Sequence, residues 1–177
     1  YAKVLHHGGI RGVTGSCHEL RVDRDNGILV DCGRFQGEER SRGGANAQLL
    51  QIDFPIDHIQ ALVLTHVHID HVGRLPYLMA AGFKGPIICS EPSALLLPLV
   101  LHDAVAIGFQ PRLAKRFVDY VKNYVVALPY REWHEIKLVG GNSSLKVRLQ
   151  RAGHILGSAY VECEASAQKQ SDKTRTV

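Results

Sequence analysis

Hydrophobic positions along this chain follow two periods, and the places where one gives way to the other lay out the elements. Short β-type runs at Lys3 to His7, His18 to Val22 and Ile28 to Asp31 are joined by Gly-rich or Asp-Asn-Gly turns, so the chain opens on a β-meander. Asp25-Asn26-Gly27 is a hairpin signal, because Asn and Gly accept the left-handed backbone of a tight reversal. Glu38 to Asn46 is charged and glycine-rich and reads as a loop. Ala61-Leu62-Val63-Leu64 is apolar without interruption, which predicts a buried strand. Beyond it Val72, Leu75, Leu78 and Met79 recur at helical spacing up to Gly82, a suitable C-terminal cap, and this sets Asp70 and His71 at or just before a helix N-terminus.

The second half continues in the same manner. Pro86 to Cys89 predicts another core strand, and Ser90 can cap a helix running to about Gly108, with Pro98 as a kink or break. A further helix is predicted from Pro111 to about Val125, with an apolar stripe of Leu113, Phe117, Tyr120, Val121 and Tyr124. Arg112, Lys115, Arg116 and Lys122 fall on its other faces, where a solvated surface and a phosphate-contacting one are both open readings. Trp133 to Val139 and Leu145 to Arg151 make a hairpin in which Leu145, Val147 and Leu149 face the core, and the next strand begins at Tyr160. The segment Ala165 to Val177 is polar and reads as a disordered tail or a surface turn ahead of another strand, which leaves residues 1–164 as one domain.

With 177 residues of which 45% are hydrophobic, the chain can bury a sizeable core. The stretch Ala94 to Leu101 is broken by Pro98 and is too short for a membrane span, and Tyr1 to His7 lacks a signal peptide's apolar region, so a cytoplasmic location is expected. Cys17, Cys32, Cys89 and Cys163 contain no Cys-x-x-Cys and sit in or beside apolar strands, which suits reduced core thiols. A net charge of +4 and a pI near 9.0 are compatible with a polyanionic partner without identifying one.

The chemistry concentrates in Thr65-His66-Val67-His68-Ile69-Asp70-His71, directly after the buried strand. Three imidazoles and a carboxylate so close together are costly to bury unpaired, and they are the ligand types that zinc, manganese or iron take. His154 occupies a similar place, a glycine-flanked strand end in Ala152-Gly153-His154-Ile155-Leu156-Gly157, although its spacing alone does not make it a ligand.

Taken together, Val30-Asp31-Cys32-Gly33, His66-x-His68-x-Asp70-His71 and Gly153-His154-Ile155-Leu156-Gly157-Ser158-Ala159 resemble the metallo-β-lactamase superfamily. Val13-Thr14-Gly15-Ser16-Cys17, Phe35-Gln36-Gly37 and Gly73-Arg74-Leu75-Pro76 resemble its β-CASP nuclease branch, and the likeness spans about Val4 to Glu164. The resemblance implies an α+β fold, the N-terminal part of a four-layer αββα sandwich. It implies that His66, His68 and His154 hold one divalent metal, zinc or manganese, and that Asp70 and His71 serve a second. Asp31 would brace the metal loops, and Asp70 would position or deprotonate the attacking water. His6, His7, His18, His58, His102 and His134 match no ligand motif and read as structural or surface residues.

The implied activity is two-metal phosphodiester hydrolysis acting on RNA, single-stranded RNA first, with DNA as the other nucleic acid. The family's bridging aspartate, its inserted β-CASP domain and a later histidine have no match here, so the chain is expected to be a portion of a longer enzyme and nearly inactive alone. The rival readings are a thioesterase- or lactonase-type hydrolase and a noncatalytic metal-binding fragment. The sequence leaves the native metal, endo- or exonuclease action and oligomeric state open.

Overall fold

A computed structural model of the chain describes residues 2–10, 12–36, 51–106, 111–140, 143–167 and 175–176. Its first sheet has six strands in the order β1 (Lys3–Gly8), β2 (Cys17–Arg21), β3 (Gly27–Val30), β4 (Ile59–Val63), β5 (Ile87–Ser90) and β6 (Val125–Leu128). The opening meander pairs antiparallel, whereas β3 to β6 run parallel. Parallel neighbours need a crossover. Two helices, α1 (Ile69–Val72) and α2 (Leu75–Ala80), connect β4 to β5, and α3 (Glu91–Ala106) and α4 (Pro111–Lys122) lie between β5 and β6. The second sheet is antiparallel, in the order β10 (Arg175–Thr176), β9 (Ala159–Ala167), β8 (Ser143–Arg151) and β7 (Trp133–Glu135).

Side-chain alternation turns these sheets into layers. Ile28, Ala61, Val63 and Ile88 of the first sheet meet Leu145, Val147, Leu149 and Cys163 of the second in one core. Leu29, Leu62, Ile87 and Cys89 point the other way, against Val72, Leu75, Leu78, Leu97, Leu101, Val118 and Val121 of the helices. Neighbouring residues of β4 therefore serve different cores, which is why its sequence is continuously apolar. The result is helices, sheet, sheet: an α+β architecture with three of the four layers of an αββα sandwich. All four cysteines are free and buried, as their apolar surroundings predict. None of the described helices is long and apolar enough to cross a membrane.

Several boundaries differ from the sequence reading. Val125 does not end a helix. The turn of α4 closes at Asn123 and Tyr124, and Val125 and Val126 instead pair with Ile87 and Ile88, a ladder that suits β-branched residues and overrides the helical spacing. The single helix expected through Gly82 is split at Gly73-Arg74, because the Arg74 N–H turns away to the Cys32 carbonyl at 2.9 Å. Pro98 does not break α3, whose Leu97 and Leu101 are each 1% exposed on the core side, so packing outweighs the missing N–H. The strand from Trp133 ends at Glu135 rather than Val139. The Asp25-Asn26-Gly27 hairpin forms with a longer loop, Val22 to Asn26, in which buried Asn26 bonds Asp23 and Val139. β9 runs on past Glu164, and Arg175 pairs back with Ala165. The Glu38 to Asn46 loop and the extension of α3 to Gly108 lie outside the described residues.

One buried carboxylate holds the meander to the rest of the first sheet. Glu19, fully buried on β2, is bound by His7 at 2.8 Å, His58 at 2.8 Å and Arg21 at 2.6 Å. Burial pushes its pKa up, but the three hydrogen bonds together outweigh this and hold the carboxyl below its ordinary 4.5. Glu19→Gln is expected to cost about 1–3 kcal/mol at neutral pH, because an amide replaces a buried carboxylate on which three partners converge. A folded pKa below the unfolded one gives stability that is present above 4.5 and is lost as pH falls through the folded value, so the gap between wild type and variant should close in acid. Urea unfolding at several pH values measures it.

Candidate metal centre

Strand ends build the site. Asp31 follows β3, the Thr65 to His71 segment follows β4, and His154 lies in the turn between β8 and β9 of the other sheet. The parallel strands deliver their loops to one edge, and the Ala159 N–H donates to the Thr65 carbonyl at 2.8 Å, which ties the second sheet to that edge. His66 is buried and His68 and His154 are exposed, so the group opens to solvent on one side.

Three ring nitrogens converge there. His68 Nδ1 is 3.1 Å from His66 Nε2 and 3.1 Å from His154 Nε2, and the ring planes stand at 78° to 88° to one another. The fit to a cation follows from donor chemistry. One proton can satisfy one nitrogen pair and leaves the third lone pair facing the others, whereas a single divalent ion accepts all three. Tetrahedral zinc with N–metal bonds of about 2.0–2.1 Å sets its nitrogens about 3.3 Å apart, close to the 3.1 Å of the two pairs through His68, and all three nitrogens lie within 4.8 Å of one another. Beside this group, His71 Nε2 faces Asp70 Oδ2 at 3.5 Å, a second donor pair, and the His66 and His71 rings lie 3.9 Å apart.

Protonation states suit that use. Burial first, then the charges of His71, His68 and His154, push His66 down to about 4, so the ring is neutral at neutral pH and has a lone pair to give to a metal. Burial also pushes His71 down, but its hydrogen bond to Asp31 and the charges of Asp31 and Asp70 outweigh this and raise it. The 2.7 Å contact between His71 Nδ1 and Asp31 Oδ2 takes up one ring nitrogen and turns the other toward Asp70.

Asp31 does more than hold His71. It is 1% exposed, and its carboxylate accepts the Thr65 N–H at 2.8 Å, the Thr65 hydroxyl at 2.8 Å and the Ser16 hydroxyl at 3.1 Å. Its φ of 63° is left-handed, a conformation in which Asp is among the tolerated residues. The next residues are stitched to α1: the Cys32 N–H donates to the His71 carbonyl, the Arg34 N–H to Ile69 and the Ser16 N–H to Asp70. This close approach requires Gly33, where a methyl would overlap the Asp70 carbonyl. Across the site, the Ser90 and Ser93 hydroxyls donate to the Gly157 carbonyl at 2.6 and 3.0 Å, and the Ser158 hydroxyl donates within its own turn, which fixes the His154 segment.

The structure thus brings His66, His68 and His154 together, sets Asp70 and His71 beside them and puts Asp31 underneath. His7 and His58 belong to the Glu19 network, His6 and His18 face each other across β1 and β2, and His102 pairs loosely with Asp103. Sequence reasoning missed Ser16, Thr65, Ser90 and Ser93 as supports. Ser16 and Thr65 do sit inside the quoted motifs, but Ser90 is read only as a helix cap and Ser93 carries no reading, and nothing in the chain order signals their reach to Gly157.

Strand-end imidazoles over a helix, sheet, sheet stack define a candidate divalent-metal site. Residues 10–149 match the Metallo-beta-lactamase superfamily, and the chain belongs to that superfamily, whose members bind divalent metals. It is 35% identical over 159 residues to Ribonuclease TTHA0252 of Thermus thermophilus, covering 90% of this chain and 34% of that protein. It is 35% identical over 156 residues to Transcription termination factor FttA of Cenarchaeum symbiosum, covering 86% and 23%. To Cleavage and polyadenylation specificity factor subunit 3-II of Arabidopsis thaliana it is 29% identical over 141 residues, covering 76% and 22%. These relatives are β-CASP nucleases, the branch that the sequence motifs resemble. The chain spans about a third or less of their length.

Proposed function

We propose that this chain is the metal-binding part of a ribonuclease that hydrolyses phosphodiester bonds of single-stranded RNA. The observation that carries the reading is the convergence of three imidazole nitrogens within 4.8 Å of one another, two of the pairs at 3.1 Å, beside the Asp70 and His71 pair. The ribonuclease relatives support RNA as the substrate class, with DNA the less favoured nucleic acid. His66, His68 and His154 hold one ion, Asp70 and His71 contribute to a second, and zinc is the metal best matched to imidazole-rich tetrahedral donors, with manganese next. Bound divalent ions supply activation of water near neutral pH and neutralise charge on the phosphate.

The chain's own residues do the positioning. Asp70, part-exposed at the mouth of the site, orients the attacking water and accepts its proton. Asp31 keeps His71 in one tautomer and orientation, and the Ser90, Ser93 and Ser158 hydroxyls keep His154 from drifting with its turn. In the longest natural polypeptide carrying this sequence, labelled single-stranded RNA is expected to be cleaved in a chelator-sensitive way. Asp70→Asn should lower the rate by at least about a hundredfold, the usual scale for a lost general base. Turnover of a thioester or lactone with no cleavage of RNA would overturn the proposal.

A further inference from the structure

Helix α4 carries a surplus of positive charge on its exposed face. Arg112, Lys115 and Arg116 lie in its first half, and its first turn holds no acidic residue. The N-terminal end of a helix is partially positive, so acids stabilise it and cations do not. Arg112 also precedes Lys115 and Arg116 by three and four residues, spacings at which like charges repel on one face. The helix's one acid, Asp119, is 3.6 Å from Lys122, and Arg112, Lys115 and Arg116 make no ion pair among the described residues. All three are exposed, while Ala114, Val118 and Val121 pack inward. Only Arg112 falls in the first turn, and Asp119 lies four and three residues beyond Lys115 and Arg116, so what the helix carries is a surplus: four cations, Arg112, Lys115, Arg116 and Lys122, against one acid.

We propose that the exposed face of α4 is a second, noncatalytic contact surface for the RNA backbone. The identity of the polyanion rests on the ribonuclease reading above; the charge placement does not. Arg112 and Arg116 are one turn apart, about 6 Å along the axis, with Lys115 beside them, a rigid row that can track a phosphate backbone. Tyr120, one turn beyond Arg116 and 44% exposed, offers an aromatic face to an unstacked base. The Tyr124 carbonyl accepts the Ile87 N–H at 2.7 Å, which ties the chain just after α4 to the start of β5.

The test uses the zinc-loaded chain and a hydrolysis-resistant phosphorothioate single-stranded RNA, with affinity measured across a salt series. Wild type is compared with Arg112→Glu/Lys115→Glu/Arg116→Glu and with the charge-conserving Arg112→Lys/Arg116→Lys. Losing three phosphate contacts should flatten the slope of log affinity against log salt by about 2, at about 0.7 per contact on a single strand. Affinity at low salt should fall at least about tenfold, the lysine variant should retain the wild-type slope, and zinc content should not change. The reversed variant sets acids three and four residues before Asp119, so a Tm lower by up to about 2–4 °C is expected, and circular dichroism checks that it keeps the fold. An unchanged slope and affinity beside clear wild-type binding would overturn the surface and leave the ribonuclease reading standing. Absence of RNA binding by the wild-type chain would overturn the surface, and RNA cleavage by the longer polypeptide separately decides the ribonuclease reading. A charge-dependent loss seen only with vesicles of phosphatidylserine and phosphatidylcholine would replace RNA with a membrane surface.

Discussion

Asp31→Ala is expected to destabilise the chain by about 3–5 kcal/mol, the range for removing one member of a buried charged network, and to lower Tm by about 6–20 °C. The loss comes from several groups at once. The Thr65 N–H, the Thr65 and Ser16 hydroxyls and His71 Nδ1 all converge on this one carboxylate, and each loses a buried acceptor. Asp31→Asn should cost less, because Asn also tolerates the left-handed backbone at φ 63°, but its amide presents a donor where an acceptor is needed. His71 would then lose the contact that raises its pKa and fixes its ring. Urea denaturation and thermal melts of the two variants measure the difference. A loss under about 1 kcal/mol in Asp31→Ala would mean that the metal loops hold themselves in place.

Local chemistry made most of this site legible in the chain. The unbroken apolar run at Ala61 to Leu64 marks a strand that serves two cores, and the polar residues that follow it can only emerge at its end. His66, His68, Asp70 and His71 are close in sequence, so their closeness in space follows from a strand end and one helical turn. His154 is different. It lies 86 residues from His68 and on the other sheet, and only the pairing of β8 with β9 and the Ala159 to Thr65 bond carry it to the site. Family resemblance supplied what spacing could not. Asp31 was legible as a brace for the same reason, whereas Ser90 and Ser93 were not, since their partner, Gly157, is 64 or more residues away. Misplaced boundaries share one cause. At Val125 and at Gly73-Arg74, long-range hydrogen bonds to β5 and to Cys32 redirect a backbone whose local spacing favours helix.

His154→Ala is expected to weaken binding of the first ion by more than the 10–100-fold that losing a ligand's supporting partner typically costs, since a ligand itself is removed. A metal that binds only the folded chain adds to its stability, about 2.7 kcal/mol at a free concentration of a hundred times Kd. The metal-dependent part of Tm should therefore vanish in the variant under conditions where wild type is saturated. His102→Ala, on an exposed face of α3 beside Asp103, should leave both zinc content and Tm unchanged. Two ions are not expected to bind equally. Three imidazoles serve the first, while the second has one imidazole and one carboxylate among the described residues. Dialysis followed by elemental analysis reads both effects, and unchanged zinc content in His154→Ala would remove this residue from the site.

X-ray absorption at the zinc edge, on chain loaded with one equivalent of zinc, tests the central claim most directly because it counts the atoms around the metal. The account predicts three imidazole nitrogens at about 2.0–2.1 Å with the remaining position filled by oxygen, and one imidazole fewer in His154→Ala. Sulfur scattering at about 2.3 Å, which would place zinc on the cysteines, or a shell of oxygens without imidazole, would contradict it.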